Sequence, residues 1–195
     1  MALSEVQTAL ARLFTDEAAR AAYFKDPQGA GRSLGLDDAD ARLLAELAPR
    51  ALRQFAGSLK AKRVLDARKR TPLTAQVLGV AFNEHLHAAA ATLPIGAGRV
   101  EEAHALADRL AAFARTDALS PDWIGDLARY EAAFVEAAYR RAGLRLLLFR
   151  YPVGIVAAAL QAGSPIGDIP PRATLGLWAR WPGGRLTHRL WRLTR

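Results

Sequence analysis

Residues 144–151 read LRLLLFRY, residues 174–181 read TLGLWARW, and residues 185–193 read RLTHRLWRL. Each is a short run of apolar and aromatic residues bounded by Gly or Pro, which is typical of a β-strand. The last two runs are separated by PGG at 182–184, whose glycines can take the positive φ angles of a tight turn. The sequence therefore predicts three extended segments after Gly143, the last two forming a hairpin.

The sequence before these segments has helical periodicity. Caps and Pro or Gly breaks predict seven helices there, including one at 50–69 and a single one at 74–92. Asp26-Pro27-Gln28-Gly29 is expected to end the second helix, and Ser120-Pro121-Asp122 to open the last with proline in its first turn. A further short helix is predicted near 155–162.

The fold class that follows is α+β and mainly α. We predict an N-terminal multi-helix bundle at 1–142, followed by a C-terminal unit at 143–195 with a small three-stranded antiparallel sheet and one short helix. With 195 residues, 51% of them hydrophobic, the chain is long enough to bury a core. The edges of such a sheet carry unpaired N–H and C=O groups, so we expect a docking site for an extended peptide there.

The net charge of +8 is concentrated in two segments. Segments 49–72 and 142–195 each contain eight basic residues and one acidic residue, whereas 1–48 and 73–141 are each net negative by three. This distribution predicts an anionic partner, such as an acidic peptide, an acidic protein surface or nucleic acid. The alternative is that the basic segments are simply solvated surface.

Several kinds of chemistry have no support in the sequence. There is no cysteine, which excludes disulfides, thiol nucleophiles and thiolate metal sites. Neither a Gly-x-Ser-x-Gly elbow nor a glycine-rich phosphate loop is present. We find no signal-peptide pattern and no apolar run long enough to span a membrane, so we expect a cytoplasmic protein. Because the motifs of these chemistries are missing, we also expect no catalytic activity and no cofactor of its own.

Two Glu-x-x-His motifs are the one pattern that resembles a metal site. On a helix this spacing places a carboxylate and an imidazole on one face, as in di-iron helical bundles. The residues are Glu84 with His87 and Glu101 with His104. A di-iron site also needs glutamates from two further helices, for which Glu131 and Glu136 are the candidates. We expect no metal site, with these four residues as the alternative.

Tryptophan and arginine alternate in the predicted hairpin. Together these residue types dominate binding hot spots and can also stack on nucleic-acid bases. The peptide-binding residues predicted from this pattern are Trp178, Arg180, Trp181, Arg189, Trp191 and Arg192. The alternative is that the sheet packs on the helices through this region, which would use at least one of the tryptophans.

Several short motifs resemble one bacterial family. They are LFTD at 13–16, FxDP at 24–27, LGL at 34–36, FAGSLxxKR at 55–63, PxWxxDLARYE at 121–131 and FRYP at 149–152. Together they are similar to the MbnC/TglI-like helical partner proteins of multinuclear non-haem iron oxygenases, which act in ribosomal peptide modification. The resemblance covers most of the chain.

The resemblance implies a division of labour. The oxygenase would hold the iron and oxidise a precursor peptide, while this chain would form a heterodimer with it and bind the leader of that peptide near the C-terminal sheet. The residues assigned to contacts with the oxygenase are Arg53, Lys60, Lys62, Arg63 and Tyr130. A nucleic-acid-binding or regulatory protein that uses the basic 50–70 helix is the alternative function.

Overall fold

The computed structural model describes residues 3–94, 96–116, 118–140 and 142–193. Within those ranges the chain forms ten α-helices and one three-stranded sheet. The elements in chain order are α1 Leu3–Thr15, α2 Glu17–Lys25, α3 Pro27–Ser33, α4 Asp38–Ala45, α5 Pro49–Arg70, α6 Pro72–Leu78, α7 Ala81–Ala90, α8 Arg99–Arg115, α9 Ile124–Tyr139, β1 Gly143–Phe149, α10 Val153–Gln161, β2 Thr174–Arg180 and β3 Thr187–Arg192. The predicted α+β class, mainly helical with a small antiparallel sheet near the C-terminal end, is confirmed.

The described helices include none with the length and apolar character needed to cross a bilayer. The chain divides into two compact units, Met1–Leu65 and Asp66–Arg195. The boundary falls within α5, and the three strands belong to the second unit together with α6 to α10.

The first unit is a small helical core closed by carboxylate caps. Asp16, Asp26 and Asp37 each accept hydrogen bonds from backbone N–H groups at the start of the helix that follows. Tyr23 is fully buried, and its hydroxyl donates to Leu44 O at 2.8 Å and to Leu47 O at 3.1 Å. These hydrogen bonds tie α2 to the end of α4.

In the second unit α9 is the central element, because it contacts α6, α8, α10, β1 and β2. Its packing against α8 is close: a Cβ on Gly125 would lie 2.7 Å from the Cα of Ala111. On another side of α9, Ile124 and Leu127 are fully buried in a cluster with Tyr151 of the segment before α10. The sheet and α10 are therefore assembled on a helix that is already packed on α8.

The helices differ from the predictions in three places, and the described residues before β1 form nine helices where seven were predicted. Asp26-Pro27 ends α2 but also starts α3, since Asp26 accepts from Gly29 N at 3.0 Å and Pro27 occupies the first turn, where no N–H is needed. The single helix predicted at 74–92 is two helices, because Gly79 takes a positive φ of 55° between α6 and α7. Residues 121–123 form a turn, and α9 begins only at Ile124.

The sheet has the order β1-β2-β3, with both pairs antiparallel. Its rows of neighbouring residues include Arg145-Trp178-His188 on one face and Leu146-Leu177-Arg189 on the other. The face that contains Trp178, here called the inner face, packs on α9 and on Val153 of α10. The opposite face is here called the outer face.

The close approach of α8 and α9 makes Gly125 sensitive to substitution. We expect Gly125→Ala to lower the free energy of unfolding of the second unit by about 1–3 kcal/mol, because the added methyl overlaps the backbone of Ala111. All four tryptophans lie in this unit, so tryptophan fluorescence during urea unfolding measures the effect. Gly167→Ala is the control: Gly167 belongs to the same unit, and no atom lies within 4 Å of its Cβ position. Equal effects at both positions would contradict this account.

Candidate functional site

The outer face of the sheet is apolar. Its side chains come from alternate positions of the three strands, namely Leu144, Leu146, Leu148, Leu175, Leu177, Ala179, Thr187, Arg189 and Trp191. The three β1 leucines are 68%, 57% and 58% exposed, and Trp191 is 42% exposed. Adjacent exposed apolar side chains of this kind mark interaction surfaces more often than isolated ones do. The outer face is therefore a candidate binding surface.

The backbone of β1 adds unpaired polar groups beside this surface. Leu193 N–H donates to Ala173 O at 2.9 Å, which places the odd-numbered residues of β2 in hydrogen-bonded pairs with β3. The even-numbered residues of β2 therefore bond to β1, and the register makes their partners the odd-numbered residues of β1. The N–H and C=O groups of the even-numbered β1 residues consequently point away from β2.

This assignment agrees with the contacts of Leu148, whose C=O accepts a hydrogen bond from Arg129 Nη1 at 3.1 Å. In the described part of the chain no strand pairs with this side of β1. The N–H and C=O groups of Leu144 and Leu146 are therefore available to a fourth strand. The side chains of these leucines lie on the outer face of the sheet, beside the position of that strand. The free edge that the sequence predicted is present, on β1.

The inner face is an aromatic core. Trp178 is 1% exposed, and its ring centroid lies 5.8 Å from Tyr130, 5.6 Å from Phe134, 6.1 Å from Phe149 and 5.5 Å from His188. Trp178 is one of the predicted peptide-binding residues, but its ring offers no exposed surface, because the sheet packs on α9 through this ring. Tyr130, assigned to partner contacts, is half-buried in the same cluster.

Arg180 has a local structural role. Its Nη1 donates to Ala137 O and to Ala138 O, both at 3.2 Å, and these carbonyls lie in the last turn of α9. A guanidinium group there satisfies carbonyls without helical partners and balances the negative end of the helix dipole. Arg180 therefore joins the end of β2 to the end of α9.

The other predicted peptide-binding residues are exposed in the hairpin. Trp181, 76% exposed, lies in the turn, and Arg189 and Trp191 lie on the outer face. Arg192 is exposed and alternates to the other face, opposite Thr174. The structure thus brings Arg189 and Trp191 together with the exposed leucines, and separates Arg192 from them.

The basic residues assigned to a partner or to nucleic acid lie on α5. Arg53, Lys60 and Lys62 are exposed and Arg63 is half-buried. The guanidinium of Arg53 lies 4.9 Å above the ring of Phe24, so part of this side chain packs within the first unit. All four belong to Met1–Leu65, whereas Tyr130 belongs to the second unit.

The motif at 121–131 and the motif at 149–152 contact each other. The Asp126 carboxylate accepts from Arg150 N at 2.6 Å and from Tyr151 N at 3.0 Å. The Tyr151 hydroxyl donates to the carboxylate of Asp122 at 3.3 Å. These contacts hold the turn between β1 and α10 on α9. They give residues of both motifs a structural role and explain why the two motifs occur in the same chain.

The acidic residues considered for a metal site are occupied elsewhere. Glu131 accepts from Leu73 N at 2.9 Å and from Thr74 N at 2.8 Å, at the start of α6. Burial raises the pKa of the Glu131 carboxyl, and these N–H groups oppose that effect. The residues with described positions include no group of three or more His, Cys, Asp or Glu side chains placed to hold a metal ion.

In the second Glu-x-x-His motif, Glu101 and His104 point to different surroundings. Glu101 is exposed, and His104 Nε2 lies 3.0 Å from Oε2 of Glu136 instead. Glu136 is buried and also forms ion pairs with Arg140, at 2.7 Å, and with Arg145. Glu136 is therefore the centre of an ion-pair cluster between α8, α9 and β1.

No model of a known protein family matches the chain, and no curated protein shows significant similarity to it. The relation to oxygenase partner proteins therefore stays a prediction based on the sequence motifs.

Several residues of the site were missed from the sequence. The prediction concentrated on the hairpin and did not include the other edge strand, β1, with its exposed Leu144, Leu146 and Leu148. The alternation of leucine at every second position of 144–148 was the available signal, because strand residues two apart share a face. No pattern in the sequence indicates that Arg145 and Glu136 form an ion pair.

The half-buried position of His188 predicts a pH effect on stability. Burial lowers the pKa of the His188 imidazole, whereas in the unfolded chain its pKa is about 6.5. As the pH falls through that value the unfolded chain takes up the proton first, so the free energy of unfolding should decrease. We expect His188→Phe, which keeps a ring beside Trp178, to lose less stability than the parent between pH 7.5 and 5.5.

Urea unfolding at several pH values measures this difference. His85, whose pKa is also lowered by burial, is present in both proteins, so its contribution cancels. Parallel pH profiles for the two proteins would show that His188 does not contribute.

Proposed function

We propose that this chain is a non-catalytic partner subunit of an iron-dependent oxygenase, and that its C-terminal sheet binds the leader of a ribosomally made precursor peptide in the cytoplasm. The observation that carries the proposal is the free edge of β1, where the backbone groups of Leu144 and Leu146 stand beside exposed leucine side chains. An extended peptide added there would gain main-chain hydrogen bonds, and the outer face would bind its alternate side chains.

Charge supports a peptide of this kind. Segment 142–195 has eight basic residues and one acidic residue, so an acidic leader would be attracted to it. Arg189 and Trp191 lie on the same face as the leucines, where they supply a cation and an aromatic surface. The oxygenase would cover the remaining apolar surface and supply the iron.

Co-expression tests the division of labour. We expect the chain to co-purify with the oxygenase encoded next to its gene, with the iron found in the oxygenase and less than stoichiometric iron in the isolated chain, as measured by metal analysis. Tightly bound stoichiometric iron in the isolated chain would favour the alternative metal site with Glu84, His87, Glu101 and His104.

The same isolated protein tests the nucleic-acid alternative. If the chain binds DNA tightly at low salt with a steep salt dependence, and Lys60→Glu with Lys62→Glu removes that binding, the proposal is wrong and the basic helix is the functional surface.

A proline at the β1 edge tests strand addition. Leu146→Pro removes an N–H that points away from β2, so the sheet itself should fold. Leu146→Ala is the matched control, because it removes the same side chain and keeps the N–H. We expect the proline variant to bind the precursor peptide, encoded near the gene of this chain, about tenfold more weakly than the alanine variant does, as measured by calorimetry.

Hydrogen exchange gives an independent readout of the same event. The amides of Leu144 and Leu146 should become protected when the precursor peptide binds, whereas those of Arg145 and Leu147 are already bonded to β2. Equal affinity of the two variants, together with unchanged exchange at the edge amides, would place the peptide elsewhere.

A further inference from the structure

A cleft lies at the end of the sheet where β1 begins. It is lined by side chains of α9, β1 and β2, among them Glu136, Arg140, Leu144, Arg145, Trp178 and Arg180. The cleft has an empty volume of about 300 Å³ including its open mouth. It adjoins the free edge, because the backbone of Leu144 faces that edge.

The cleft is electropositive. It contains three arginines and one glutamate, which leaves an excess of two formal positive charges. Glu136 is shared between Arg140 and Arg145, and it also contacts His104. Arg180 is bonded to carbonyl groups at the end of α9, which are neutral acceptors. The Glu136 carboxylate is therefore shared among several basic side chains and does not neutralise all of their charge.

Two residues that line the cleft each have a buried N–H donor without a hydrogen-bond partner. The donors are Nε1–H of Trp178 and Nε–H of Arg145, and these residues are direct neighbours across β1 and β2 on the inner face. An unpaired buried donor costs about 1–3 kcal/mol, so native structures rarely leave one without an acceptor. Here two such donors belong to residues that are paired across β1 and β2, in a cleft with an excess of positive charge.

We propose that this cleft binds a carboxylate, namely that of an acidic side chain in the peptide added to β1. A carboxylate has two acceptor oxygens for the two donors, and its negative charge is opposite in sign to the excess charge of the cleft. The peptide as the source of the carboxylate rests on the proposed function, whereas the binding of a carboxylate does not.

Acetate is the probe for the site. In ¹⁵N-labelled protein the indole N–H signal of Trp178, assigned with Trp178→Phe, should shift downfield and saturate as acetate is added, because the N–H gains an anionic acceptor. The indole signals of Trp181 and Trp191, which are exposed, serve as internal references. Acetamide, which has the same shape without the charge, and inorganic phosphate should leave the Trp178 signal in place.

Arg145→Lys separates charge from hydrogen bonding. Lysine keeps a positive charge beside Glu136 but removes the Nε–H donor, so we expect acetate to bind about tenfold more weakly. Arg145→Met should abolish the shift. If the Trp178 signal of the parent does not move with acetate, the carboxylate site is disproved, and a bound water is the acceptor for the two donors. If the signal moves equally with acetamide or phosphate, the site is also disproved, and the shift is a nonspecific effect of the added solute.

The peptide experiments distinguish this failure from failure of the proposed function. Replacement of each acidic leader residue by its amide should weaken binding to the parent at one position about tenfold, and should have little effect on binding to Arg145→Lys. Peptide binding at β1 without an acetate response would refute the cleft alone. An acetate response without peptide binding would refute the proposed function alone.

Discussion

The packing of the sheet on α9 through Trp178 is the constraint on which the rest of the second unit depends. A sheet of three short strands has little stability alone, and it needs a helix to cover one face. Trp178 lies in the central strand and packs with rings from α9, β1 and β3, so its burial decides which face is covered. Because strand side chains alternate, the leucines at 144, 146 and 148 are then placed on the outer face.

The polar contacts around α9 maintain this arrangement. Asp126 holds the backbone after β1, Glu131 caps α6, and Glu136 pairs with Arg145 of β1. These three carboxylates lie along one helix and bond to three different elements. Residues that look like candidates for chemistry in the sequence are therefore used to assemble the structure, whereas the apolar side chains of the outer face stay exposed.

Binding at an edge strand combines two kinds of recognition. Main-chain pairing along β1 would be insensitive to peptide sequence, while the outer-face leucines and a carboxylate cleft at the start of β1 would select side chains. The cleft lies beside Leu144, so an acidic residue bound there would determine the register of the added strand. Such a design suits a leader peptide, which must present a distant residue to a separate active site.

Local patterns predicted the elements well. The Pro-Gly-Gly turn with its flanking strands, the cap residues of the early helices and the helix at 50–69 all reflect interactions within a few residues. The predictions failed where the local pattern was ambiguous: Asp26-Pro27 both ends and starts a helix, and Gly79 interrupts an otherwise helical stretch. The sequence did not show which tryptophan is buried. The alternation of side chains along the strands defines two faces of the sheet but does not identify the face that packs on a helix.

The amino-acid sequence by itself determined the class of the fold, the order of its elements, the cationic character of the last 54 residues and the existence of a sheet with free edges. These properties follow from periodicity, turn residues and charge, which are local. The tertiary structure alone decided that Trp178 is buried, that β1 presents the open edge with three exposed leucines, and that Arg145 and Trp178 meet in one cleft. Those outcomes depend on the contact between the sheet and α9, which joins residues far apart in the chain.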